Sequence, residues 1–173
     1  MRRILKQTSI LLIMMLGFSV AVNAQAKKKA NKDTEEWRYE IECVSVGASG
    51  SYLIKVWSYS KKPDIAINQA KKNAVHGIIF KGFTGKGAGC TQKPLAGSPA
   101  LEEEKETFFK DFFADGGKYM KFVTVSGDGS VAAGDRLKIG KEYKIGVVVS
   151  VYKDELRKDL EAAGVIKSLG SGF

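Results

Sequence analysis

Two cysteines and one histidine carry most of the reactive chemistry this chain can offer. Cys43 falls on the inward side of a candidate strand and Cys90 in a glycine-rich loop. A Cys43–Cys90 bridge would tie that loop to the sheet and stabilise the fold by about 2–4 kcal/mol. The alternative is two thiols that never meet, and spacing alone does not decide whether their Cα atoms come within range. A nucleophilic cysteine needs a base to make thiolate, and His76 is the single histidine available. It lies beside the small-residue face of a helix, where a structural or solvent-facing histidine is the better reading than a Cys90–His76 pair. A serine triad meets the same shortage, and no G-x-S-x-G turn occurs. One histidine and two distant cysteines do not make a zinc set. Asp128 and Asp135 lack the alternating acidic ligands of a calcium loop. Gly85, Lys86 and Gly87 miss both the phosphate-loop and dinucleotide spacings, since Gly87 follows Lys86 and Cys90 ends the run. The expectation is therefore no catalytic residue, no metal site and no cofactor.

Binding residues are easier to nominate. Glu102, Glu103, Glu104 and Glu106 crowd the start of a helix, where the dipole alone explains them. Phe108, Phe109, Phe112 and Phe113 follow, and four rings within six residues cannot all face one sheet. Phe109 and Phe113 are the candidates for a second, exposed aromatic surface. Lys86, in the loop, is the third candidate contact for a partner.

These residues need elements to hold them. Trp37–Val46 alternates apolar and charged positions, the period of a half-buried strand. A Gly47–Gly50 turn then leads to a second strand, Tyr52–Tyr59. Asp64 is expected to cap a helix running from Ile65 to about Phe80. Ala66, Ala70, Ala74 and Ile78 make its narrow inward face, with Lys71, Lys72 and Asn73 outward. Residues 81–98 read as a long loop, mobile or functional. Ser98 and Pro99 read as the N-cap and first residue of the phenylalanine helix, which Asp115–Gly117 ends. Lys118–Val125 is expected as a strand, then a loop to Lys141 in which Arg136–Ile139 offers one more strand. Tyr143–Tyr152 is the clearest strand of all. A last helix from about Asp154 has Leu156, Leu160 and Ala163 on one face and stops at Gly164. The order β-β-α-α-β-β-α predicts an α+β fold: an antiparallel sheet of four or more strands, with about three helices on one face.

The N-terminus reads as an address. Arg2, Arg3 and Lys6 precede an apolar run, Ser9–Val22, and Val22-Asn23-Ala24 offers small residues at a cleavage site. The run is about 14 residues, short of the roughly 20 a membrane span needs. Residues 1–24 are thus expected to be a cleaved signal, 25–34 a flexible basic tail, and 35–173 one domain. The expected location is periplasmic or secreted, with no membrane span in the mature chain. The net charge of +9 belongs largely to the leading segments. The signal carries three positive charges and no negative one, and the tail a further net three, so the remainder is near +3. That argues against nucleic acid as a partner, which wants a basic stripe on the domain itself.

The hairpin and the helix with Ala66, Ala70 and Ala74 resemble the N-terminal domain of the flagellar assembly protein T family and the related small outer-membrane lipoprotein domain. The likeness spans roughly Trp37 to Phe83. It implies a non-catalytic module that helps build or brace an envelope assembly. The chain departs from the lipoprotein pattern in having no lipid-attachment cysteine. The expected function is a binding or assembly module among envelope proteins. A small-ligand binder with the glycine-rich loop as lid, or a cysteine-dependent enzyme, stands behind it. Oligomeric state is left open.

Overall fold

A computed structural model describes residues 37–168. The expected signal and basic tail, and the C-terminal Gly-Ser-Gly-Phe, lie outside the described residues. The architecture is α+β: a curled antiparallel sheet with its helices gathered over one face.

The sheet starts with β1 (Tyr39–Val46) and β2 (Ser51–Ser60). The turn between them is tight because Ser49 and Gly50 both take positive φ, at 53° and 67°, and Ser51 N–H closes on the Ala48 carbonyl at 3.1 Å. A turn with both central residues left-handed matches the twist of the strands it joins. Strand β7 (Glu142–Tyr152) lies on the other side of β2, pairing from Ser51↔Tyr152 to Ser60↔Tyr143. Its far edge is shared end to end by β5 (Val123–Val125) and β6 (Arg136–Ile139). A separate two-residue hairpin, β3 (Phe83–Thr84) with β4 (Thr91–Gln92), occupies part of the expected loop.

The period-2 pattern places Ile54, Val56, Ile145, Val147, Val149 and Val151 on the inner face, all buried. Helix α1 (Pro63–His76) crosses that face on Ala66, Ala70 and Ala74, which have no exposed surface at all. Close approach is enforced at Gly77: a Cβ there would lie 2.1 Å from Ile41 Cδ1. From Gly77 to Lys81 the helix widens to π geometry, closed by Gly82 N–H on the Gly77 carbonyl at 2.7 Å. The wider turn leaves the Ile78 and Ile79 carbonyls to accept from Leu95 and Ala96 N–H at 3.1 and 2.8 Å. That is how the tail of the glycine-rich segment is anchored.

Several local expectations are corrected. Asp64 is not the N-cap of α1; Pro63 opens the helix after Lys62, and Asp64 sits in the first turn. The fixed φ of proline starts the helix one residue early, and the carboxylate then acts through the dipole. Asn73 is buried rather than outward, its Nδ2 donating to Ser58 Oγ at 2.8 Å. The phenylalanine helix is two pieces, α2 (Leu101–Glu104) and α3 (Glu106–Phe112), broken at Lys105 with φ −116°. Ser98 caps a turn instead, its Oγ accepting from Ala100 N–H. Lys118–Phe122 is a 3-10 turn, leaving three residues for the strand. Three residues per turn brings Tyr119 and Phe122 to the same side, and both are buried.

Helix α4 (Lys153–Ala162) closes the fold with Leu156 and Leu160 fully buried. Its end is a Schellman motif: Gly164 has φ 64°, its N–H reaches the Glu161 carbonyl at 3.0 Å, and Val165 N–H reaches Leu160 at 2.9 Å. The motif turns Val165 and Ile166 back into the core.

Candidate functional site

Cys43 and Cys90 are bonded, with Cα atoms 5.6 Å apart. β1 presents Cys43 inward, and the β3–β4 hairpin presents Cys90. Gly85 fits between them, where a Cβ would sit 3.0 Å from both cysteine Cβ atoms. The glycine-rich segment is therefore stapled at its middle and anchored at its end. A free Cys90 nucleophile paired with His76 is not what the chain builds.

His76 stands at the last turn of α1, 2% exposed, in a box of rings. Trp37 stacks on the imidazole at 3.4 Å, and Phe80 and Phe113 close the sides. Tyr39 O–H donates to His76 Nδ1 at 2.6 Å, and His76 Nε2–H donates to Glu102 Oε2 at 3.2 Å. The other Glu102 oxygen accepts from Trp37 Nε1–H at 2.7 Å. Lys81 Nζ donates to the Trp37 carbonyl at 2.9 Å and lies 4.0 Å over the Tyr39 ring. The partners fix the tautomer of a neutral imidazole: acceptor at Nδ1, donor at Nε2. Burial pushes the histidine below its ordinary value, against the pull of Glu102. Burial also holds the Tyr39 phenol far above its ordinary value, so it stays a donor. For Glu102, burial pushes upward but the His76, Trp37 and Lys81 contacts outweigh it, keeping the carboxylate ionised. Every polar atom of the cluster has a partner within it. The cluster ties Trp37 and α2 to the end of α1.

The phenylalanines belong to the same packing. Phe109 is 3% and Phe113 7% exposed, so the expectation that they form an outward contact surface is corrected. All four rings lie in α3 and its C-cap and are covered from two sides: Phe80 packs on Phe109, Trp37 and His76 on Phe113, and Phe122 and Tyr119 on Phe112 and Phe113, with Phe108 half-buried against Phe109 and Phe112. The rings do span a wide arc of the helix; the error was to count only the sheet as cover, since the end of α1 and the 3-10 turn close over the rest. Lys86, by contrast, is exposed at the tip of the stapled hairpin.

The outer sheet face carries a lattice of aromatics and charges. The Trp57 ring lies flat over Gly146, where a Cβ would approach to 3.0 Å. Its Nε1–H donates to Glu42 at 2.9 Å, and Lys55 and Lys144 lie 5.6 and 5.2 Å above it. Glu40 accepts from Tyr59 O–H and Lys144, both at 2.8 Å. Lys55 also pairs with Asp135 at 2.7 Å, pinning the turn that enters β6.

Of the large apolar side chains left in water, Met120 lies in the 3-10 turn and the others at the two sheet edges: Val44 and Val46 on β1, Leu137 and Ile139 on β6, each 44–50% exposed. Sequence periodicity could have flagged β6, where Leu137 and Ile139 alternate with Arg136 and Lys138. Elsewhere, a groove of about 540 Å³ runs between α1 and residues 115–120, lined by Lys62, Gln69, Lys72, Tyr119 and Met120 among others. No residue of the 81–98 segment lines it, so that segment is not its lid. Among the described residues no cluster of three metal-ligating side chains occurs, and no helix is long and apolar enough to cross a membrane. The chain matches no family model, no curated protein and no solved structure.

Proposed function

We propose that the protein is an exported envelope protein that works as a binding or assembly module rather than by catalysis. The observation that carries the binding role is the set of half-exposed apolar residues on the outermost strands, Val44, Val46, Leu137 and Ile139. Edge strands with unpaired backbone groups and apolar side chains are where a sheet accepts another chain. The address rests on the N-terminal pattern of Arg2, Arg3 and Lys6 before Ser9–Val22. The Cys43–Cys90 bridge supports it, because such bonds persist in oxidising compartments. The likeness of Trp37–Phe83 to the flagellar assembly protein T family belongs to the same proposal. Lys86, exposed on the stapled hairpin, remains a candidate contact. The test is crosslinking of the intact envelope in the native host, with the tagged chain recovered and its neighbours identified by mass spectrometry. One protein recovered in comparable amount is the expected result. A chain found reduced in the cytoplasm, or recovered alone, would overturn the reading.

The groove between α1 and Tyr119 supports a second reading, a small-ligand binder. A compound that raises the melting temperature of the wild type but not of Tyr119→Ala would favour it.

A further inference from the structure

β6 is the one strand whose pattern the fold does not use. Its partner β7 buries Ile145, Val147, Val149 and Val151 on the helix side. The β6 register, Arg136↔Ile145, Leu137↔Lys144, Lys138↔Tyr143 and Ile139↔Glu142, sets Arg136 and Lys138 on that same side. Leu137 and Ile139 are left on the open face, 44% and 50% exposed. Slipping a strand by one residue exchanges its faces, yet this register is held firmly. Asp135 is tied to Lys55 at one end, and Gly140, with φ 60°, forms the tight turn to β7 at the other. Among the described residues β6 pairs with β7 alone, which leaves its second edge open there.

The opposite edge of the sheet is guarded. β1 is bulged between Cys43 and Ser45 and is stapled to the β3–β4 hairpin, devices that discourage strand addition. β6 has neither. It has charge: Arg136, Lys138 and the neighbouring Lys141 are exposed and form no ion pair among the described residues. A second copy pairing through this edge would set those cations against each other, and like charges directly opposite are unfavourable. An acidic strand would not meet that penalty.

We propose that the free edge of β6 receives an extended segment of a partner protein as an added strand. The partner strand alternates acidic residues, set against Arg136 and Lys138, with apolar residues set against Leu137 and Ile139. Backbone hydrogen bonds supply affinity and the alternating side chains supply choice. The inference rests on the binding-module reading and names its surface and partner chemistry.

The test uses the full chain after signal removal, with fluorescence anisotropy of labelled six-residue peptides. One peptide alternates isoleucine with aspartate, a second isoleucine with lysine, and a third holds the composition of the first in scrambled order. The acidic alternating peptide should bind, weaken with salt, and shift the Arg136–Ile139 amides in NMR spectra. Arg136→Glu/Lys138→Glu should bind it about tenfold less well, two cross-strand pairs having turned repulsive, and should prefer the lysine peptide. Both substitutions are on exposed positions, and an unchanged melting curve confirms the fold. Equal binding of the acidic and lysine peptides, shifts confined to other strands, or no binding at millimolar peptide would overturn the assignment. So would concentration-dependent dimerisation through β6, or uptake of the chain by anionic vesicles with the peptides ignored. The crosslinking experiment separates the two levels. A partner still captured by Arg136→Glu/Lys138→Glu in wild-type amount removes β6 and keeps the binding module, whereas a chain recovered alone removes the module itself.

Discussion

Removing the Cys43–Cys90 bridge should cost the fold a large share of its stability. The cysteines are 47 residues apart in sequence. Closing a loop of that length removes chain entropy worth about 4 kcal/mol from the unfolded state. For a domain of roughly 130 residues the unfolding entropy near the midpoint is about 0.27 kcal/mol/K, so the melting temperature should fall by about 15 °C. The measurement is thermal unfolding by circular dichroism of the wild type and of Cys43→Ala/Cys90→Ala, with reductant added to the wild type as a second route to the same state. Limited proteolysis should then cut between Gly85 and Gly89, the stretch beyond the Ile78 and Ile79 carbonyl anchors. A fall under about 3 °C by both routes would refute the reasoning. It would mean that the Leu95 and Ala96 hydrogen bonds hold the segment unaided, or that the unfolded chain is already compact around it.

Phe113→Ala should destabilise by about 3–5 kcal/mol, as truncation of a buried ring does, and denaturant titration checks it. Acid should destabilise the protein before carboxylates titrate. His76 has its folded pKa depressed by burial, so the stability it contributes is full above the ordinary value of 6.5 and falls as pH drops below it, where only the unfolded chain takes up the proton. The slope is at most about 1.4 kcal/mol per pH unit; urea titrations between pH 7.5 and 5 should show it in the wild type and not in His76→Gln. Glu102, also depressed, extends the loss below 4.5 with the same sign. Gly146→Val should push the Trp57 ring off the sheet, costing about 1–3 kcal/mol and red-shifting tryptophan emission.

Much of the scaffold is legible in local pattern. β1, β2 and β7 follow from alternation, α1 from the alanines at every fourth position, and the end of α4 from Gly164. Each of those signals is set by backbone geometry within a few residues. Binding residues were less legible. Phe109 and Phe113 read as a surface because a helix of fixed period places them on a second face; that face is indeed formed, but Trp37, His76, Phe80 and Tyr119, distant in sequence, cover it. Asn73 read as outward because polar residues usually are, yet Ser58, on a strand fifteen residues earlier, supplies its partner.

The sequence by itself determined the class of fold, most of the strands and helices that build it, and that a single histidine and two cysteines are all it has of those residue types. Periodicity and composition are sufficient for those. Only the tertiary structure decided the rest. It brought Cys43 to Cys90 across 47 residues, set His76 between Tyr39 and Glu102, and turned Leu137 and Ile139 outward. Those outcomes depend on the register between strands and on which surfaces meet, and both are settled by packing the whole chain into one core.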